Sequence, residues 1–328
     1  MSSGEFKTGL PPIPNGIGAI AGPPYLGILL NWWLFGILTL QWYLYYVNFP
    51  NDRKLLKYTA HFICFLEMVQ TFLTVADGFH WFVFGFGDMD KLAEFFLANF
   101  DTPMMSVVIA FIVQCMYAWR VYVLSKLRVI TGVIVFCALA QAAGGLGIGI
   151  VNQQVGTITK WQPRFTVFSI IWVTFSAVAD ILIAASMTWL LLKSGNWKNG
   201  IERNSVVTKI VRLTIETNVA SATVAIVTLL VTAIPSLGPP HGAFFLAPSY
   251  VLGKLYSNSF LAMLNNRAIL KQEKLRNQSG GSSGGRQQWG SAHSGQPMAI
   301  QTSTYVVDDT GSGAFTLSKM KSTESTQI

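Results

Sequence analysis

Long apolar blocks, separated by short polar and basic stretches, set the pattern of this chain. A helix that crosses the hydrocarbon core of a bilayer needs about 20 mostly apolar residues. Seven blocks meet that length, at about residues 25–46, 58–84, 102–124, 129–151, 165–192, 211–234 and 243–264. The predicted fold class is therefore all-α: a polytopic membrane protein built as a bundle of seven transmembrane helices. The connections fit this division. Asn48-Phe49-Pro50-Asn51-Asp52 reads as a turn, Ser194-Gly195-Asn196 breaks the chain after the fifth block, and Pro235, Pro239 and Pro240 end the sixth. Very few residues separate the third and fourth blocks, which predicts an antiparallel pair. Ala138, Ala142, Gly145 and Gly149 recur every three or four residues in the fourth block, a spacing that allows close helix approach.

The remaining segments are read from composition. Residues 1–24 form an N-terminal segment, residues 25–266 the membrane domain, residues 267–278 a basic juxtamembrane segment and residues 279–328 a tail. Pro11, Pro12 and Pro14 stand where a signal peptide would have its apolar core, so the first block is expected to insert uncleaved. The tail opens on Ser279-Gly280-Gly281-Ser282-Ser283-Gly284-Gly285 and cannot bury a core, so disorder is expected there. Arg267, Lys271 and Lys274 share one helical face; they suit either a plain basic flank or a short helix along the inner leaflet.

Composition and charge agree with a lipid partner. Hydrophobic residues make up 51% of the 328 positions and charged residues 12%, against about 25% charged in soluble domains. The net charge of +8 does not indicate nucleic acid, because the basic residues sit beside the apolar blocks. Arg53, Lys54, Lys57, Arg120, Lys126, Arg128, Lys193, Lys198, Arg203, Lys209, Arg212, Arg267, Lys271, Lys274 and Arg276 fall on one side. Only Lys7, Lys91, Lys160 and Arg164 fall on the other, so the positive-inside rule makes the first side cytoplasmic and the N-terminus extracellular. In that topology the sequon at Asn277 faces the cytoplasm and carries no sugar. The acidic stretch of Asp88, Asp90, Glu94 and Asp101 falls in an outer loop.

Ionisable residues inside a membrane are costly, so they should face the bundle and find partners. Glu67, Asp77, Asp180, Glu216 and Lys254 are the candidates. Glu67, Gln70, Thr74 and Asp77 share one helical face, as do Ser169, Ser176 and Asp180. Each stripe suits either a polar cavity for a ligand, ion or proton, or hydrogen bonds that hold helices together. Lys254 lies mid-span and suits an ion pair with Glu67, Asp180 or Glu216. A retinal Schiff base there would need a carboxylate one turn earlier, where Tyr250 stands, and the third block holds no acid. Cys64, Cys115 and Cys137 lie in apolar blocks without a disulfide pattern. His61, His80 and His241 form no axial pair, and no catalytic motif is present, so neither enzyme activity nor a cofactor is expected.

Three motifs carry a family resemblance. They are Gln41-Trp42-Tyr43-Leu44-Tyr45-Tyr46 with Phe49-Pro50-Asn51-Asp52-Arg53, Gln114-Cys115-Met116-Tyr117-Ala118-Trp119-Arg120-Val121-Tyr122, and Lys254-Leu255-Tyr256-Ser257-Asn258-Ser259 continuing to Asn265-Asn266-Arg267. Together they resemble domain of unknown function 6534, a family common in mushroom-forming fungi. The named domain would cover about residues 176–267, and the wider likeness about residues 16–270. The resemblance implies seven helices and a fungal membrane protein, and it marks Gln41, Asp52, Arg53, Gln114, Arg120, Lys254, Tyr256, Asn258, Asn265 and Arg267 as motif positions. It implies no activity.

Three functions stay open. The first is a receptor-like sensor in the plasma membrane, with a small-molecule ligand or a cytoplasmic signalling partner. Arg120 is similar in place to the arginine of G-protein-coupled receptors, but Trp119 and Val121 flank it and the seventh block lacks Asn-Pro-x-x-Tyr, which argues against direct G-protein coupling. The second is a proton- or ion-coupled transporter or channel. The third is a structural or partner-binding membrane protein whose only certain partner is the bilayer.

Overall fold

Each of the seven apolar blocks becomes a helix, because in lipid every backbone N–H and C=O must be satisfied within its own segment. The computed structural model describes residues 17–160, 162–193, 205–234, 237–238 and 242–280. The long helices are α1 (Ile17–Asn48), α2 (Lys54–Phe79), α4 (Ser106–Ser125), α5 (Arg128–Val155), α6 (Pro163–Lys193), α7 (Ser205–Ala233) and α8 (Leu246–Gly280), with a short α3 (Met89–Ala93) between α2 and α4. Wide π-helical turns extend α2 over His80–Phe84 and lead into α4 over Phe100–Met105. No strand occurs among the described residues. The Gly/Ser tail beyond Gly280, the 194–196 break, Pro235, Pro239, Pro240, His241 and residues 1–16 lie outside them, as does the side chain of Asn277.

Six helical stretches, residues 17–48, 54–84, 100–125, 128–155, 163–190 and 211–233, are long and apolar enough to cross a membrane. The chain is thus read as a multi-pass membrane protein. Its perimeter agrees: Trp33, Phe72 and Phe136 are each more than 60% exposed, at positions where lipid replaces water. The seventh block, in α8, falls short of the same measure. Lys254, Ser257, Asn258 and Ser259 interrupt its apolar run, yet all four are buried. α8 therefore hides its polar groups in protein, packed against α1, α7, α4 and α2.

Local chemistry fixes how the helices meet. Pro23 lacks an N–H, which frees the Ala19 carbonyl four residues earlier. That oxygen accepts the Ala243 N–H at 3.2 Å and ties α1 to the start of α8. α4 and α5 form the expected antiparallel pair, joined by Lys126 in the left-handed region (φ 59°) and Leu127. The small residues of α5 work as expected. A Cβ on Gly145 would sit 2.2 Å from Val107 of α4, and one on Gly144 would sit 2.6 Å from the Trp172 backbone nitrogen of α6.

Candidate functional site

The polar side chains of the bundle gather along α8 in three buried clusters and one half-buried cluster. The first joins α2 to α8. Lys254 and Glu67, both fully buried, form an ion pair. Lys254 Nζ also donates to Thr71 Oγ1 at 2.8 Å and to the Glu67 carbonyl at 3.0 Å, and lies 5.3 Å from the centre of the Phe35 ring. Ser257 Oγ donates to the other Glu67 carboxylate oxygen. Of the three acids the sequence offered Lys254, Glu67 is the one it meets. With every donor engaged and no exposure, this pair is built as a cross-link between helices.

The second cluster centres on Asp180 of α6. Its carboxylate accepts from Ser221 Oγ of α7 at 2.5 Å, Tyr256 Oη of α8 at 2.8 Å and Gln114 Nε2 of α4 at 3.0 Å. Ser176 lies 2.8 Å from the same tyrosine oxygen, and Gln141 of α5 donates to Gln114 Oε1 at 2.6 Å. Five helices thus meet at one carboxyl group whose partners are all neutral. Such a group can hold either a charge or a proton. The motif residues Gln114 and Tyr256, far apart in sequence, come together here.

The third cluster was only half legible. The sequence reading leaves Asp101 in an acidic outer loop, but the structure buries it completely. Thr74 Oγ1 donates to Asp101 Oδ2 at 2.7 Å, Thr102 Oγ1 to Oδ1 at 2.8 Å, and Gln70 Nε2 to the Asp101 carbonyl at 2.7 Å. Asp77 stands beside it, close enough to share a proton, and accepts the Leu97 N–H at 2.9 Å. The cause of the misreading is local. Asp101 borders an apolar block as a flanking charge does, and the π turn through Pro103 brings it inward.

The fourth cluster sits at the end of the bundle that carries the Phe49–Arg53 turn. Arg267 of α8 forms a two-pronged pair with Asp52, at 2.5 and 3.2 Å, and covers the Phe49 ring at 4.6 Å. Tyr45 Oη donates to Asp52 at 3.0 Å, and Asn265 Nδ2 donates to the Gln41 carbonyl at 2.7 Å. Burial raises the Asp52 pKa, but hydrogen bonds from Arg267 and the Arg53 backbone, with the Arg267 charge, outweigh it and leave it below its ordinary value. The first and third motifs therefore form one closure. The Arg53 side chain is exposed and Arg120 half-buried. Asn258 Nδ2 spans to the Leu34 carbonyl of α1 at 3.2 Å.

Glu216 corrects the sequence reading. It does not join the interior; it is exposed and pairs with Arg212 of the preceding turn at 2.9 Å. A lone acid within an apolar block, with no polar stripe beside it, does not fix which way its side chain faces. His61 accepts from Trp42 Nε1 at 2.8 Å, and His80 contacts Glu94 at 2.9 Å while stacking on Phe96. Among the described residues no group of three or more His, Cys, Asp or Glu side chains is placed to hold a metal ion.

Two cavities lie at the end opposite the Asp52 closure. A surface groove of about 410 Å³ runs over Glu94, Phe96, Asn99, Gln153 and Thr157. Phe95 separates it from a deeper cleft of about 30 Å³ that reaches Thr102, Asn152, Ser169, Thr228 and Ser249. Asn152 Oδ1 is buried there without a hydrogen-bond partner. A lateral groove of about 260 Å³ between α1 and α2 is lined by Phe35, Trp42, His61 and Met68.

Neither the curated proteins nor the solved structures contain a match to this chain. Residues 176–269, which take in the second half of α6, all of α7 and the buried part of α8, match the model described as Family of unknown function (DUF6534), the family that the motifs ending at Arg267 resemble.

Proposed function

We propose that this protein is a fungal seven-helix, receptor-like sensor of the plasma membrane, with its N-terminus outside and its tail in the cytoplasm. α8 serves as the seventh crossing, its polar groups met by partners on α1, α2, α4 and α6. The positive-inside rule puts the basic loops on the inner face, and an odd number of crossings then puts the N-terminus outside. The observation that supports the sensor most is a groove with a deeper cleft at one end of the bundle. The groove and cleft open at the end read as extracellular, while the Lys254–Glu67 and Asp180 clusters close the middle. The Asp52–Arg267 pair closes the other end. A small molecule entering the groove would act on helix packing, and the basic end would meet a cytoplasmic partner.

The second reading is a proton-coupled carrier, favoured by the neutral surroundings of Asp180. The two separate in proteoliposomes loaded with a pH-sensitive dye. A sensor leaves an imposed proton gradient intact. A flux that Asp180→Asn abolishes would overturn the sensor in favour of the carrier. Sugar attached at Asn277 would overturn the assigned sidedness.

A further inference from the structure

Among the described residues no basic side chain pairs with Asp77 or Asp101. We propose that this pair, with the Tyr250 hydroxyl, binds one small monovalent cation of the sodium class, with which a proton competes. The proposal does not depend on whether the protein senses or transports.

Charge is the first argument. Both carboxyl groups are fully buried side by side. Two like charges so placed cannot both ionise without compensation. The groups around them are neutral on every element: Gln70 and Thr74 from α2, the Leu97 N–H and Thr102 from the segment before α4, Ser106 from α4 and Tyr250 from α8. The nearby basic side chains are engaged elsewhere. Lys254 holds Glu67, His80 contacts Glu94, and Lys91 donates to the Phe84 carbonyl at 3.4 Å.

Unsatisfied oxygen is the second argument, and it is independent of charge. Asp77 Oδ2, the Tyr250 hydroxyl and Gln70 Oε1 are all buried without a hydrogen-bond partner. The Tyr250 hydroxyl lies beside Thr102, Asp101 and Asp77. The Gln70 amide is held at the Asp101 carbonyl through its nitrogen, at 2.7 Å. Buried polar atoms are rarely left unpaired. A proton shared between the acids would satisfy Asp77 Oδ2 and leave the other two oxygens bare. A hard cation takes oxygen ligands and would use them together. The all-oxygen set excludes soft metals. Hydrogen-bond donors already occupy Asp77 Oδ1 and both carboxylate oxygens of Asp101, so few lone pairs remain. One singly charged ion beside one retained proton leaves the pair neutral, whereas calcium would need both acids ionised and six to eight oxygens.

The test uses the full chain in detergent and follows unfolding by tryptophan fluorescence. At pH 8, sodium chloride raises the melting temperature saturably above choline chloride of equal ionic strength, as a ligand of the folded state must. The increment shrinks at pH 5, where protons occupy the carboxyl groups. Asp77→Asn combined with Asp101→Asn abolishes it. Tyr250→Phe keeps both acids and weakens the sodium dependence roughly tenfold, which covers the case in which the asparagine variant does not fold. Equal melting in sodium and choline at pH 8 overturns the proposal and leaves a proton site only. A calcium response larger than the sodium response overturns its monovalent character.

Discussion

Replacing Lys254 with methionine tests the central cross-link. The substitution keeps the length and apolar stem of the side chain and removes only the ammonium group. In the native chain that group binds the Glu67 carboxylate, Thr71 Oγ1 at 2.8 Å and the Glu67 carbonyl at 3.0 Å, all without exposure. Its loss leaves the Glu67 carboxylate buried with Ser257 as its one remaining side-chain donor. Breaking a fully buried pair from one side costs about 3–5 kcal/mol. Ordinary interhelical hydrogen bonds in membranes average about 0.6 kcal/mol each, so three of them would account for roughly 2 kcal/mol. The expected loss for Lys254→Met is therefore above about 3 kcal/mol, read from reversible unfolding in mixed micelles. Glu67→Leu combined with Lys254→Met removes both charges and should recover to within about 1 kcal/mol of the native chain. A single-variant loss under about 1 kcal/mol, or a double variant no better than the worse single one, would refute the cross-link.

Three further outcomes follow from the packing and the charges. Gly145→Ala drives a methyl into Val107 and should cost about 1–3 kcal/mol, whereas Gly132→Ala meets nothing within 4 Å and should gain up to about 1 kcal/mol; equal effects in thermal unfolding would contradict the close α4–α5 contact. Asp52 has a lowered pKa in the folded chain, so the stability it adds is present above its ordinary value of 3.8 and is lost as pH falls through the lower folded value; Asp52→Asn should be less stable than the native chain at pH 7, and the difference should shrink as the pH falls below 3.8. Glu216→Gln removes one exposed i,i+4 partner and should change stability by less than about 0.5 kcal/mol; a larger change in chemical denaturation would return Glu216 to the interior.

The architecture was legible because membrane crossing is a one-dimensional property. Length, apolarity and the placement of Lys and Arg are local quantities, and the helices fall where the blocks predict. The glycines of α5 were legible for the same reason, since close approach needs only small residues at helical spacing. Inward stripes on α2 and α6 were also visible, because Gln70, Thr74, Asp77, Ser176 and Asp180 repeat at the helical period and prove buried. What periodicity cannot supply is the partner. Lys254 had three acids within its reach on paper, and only the juxtaposition of α2 and α8 selects Glu67. Asp101 borders an apolar block and Glu216 lies within one, so the sequence puts the first outside and the second inside. A π turn brings the first inside, and the helix phase leaves the second outside with Arg212. The sequence by itself therefore determined that the chain is helical and membrane-embedded, since those features follow from burying apolar surface segment by segment. The tertiary structure alone decided which charges meet, because pairing depends on the rotation and depth of each helix against its neighbours, and no single segment encodes those.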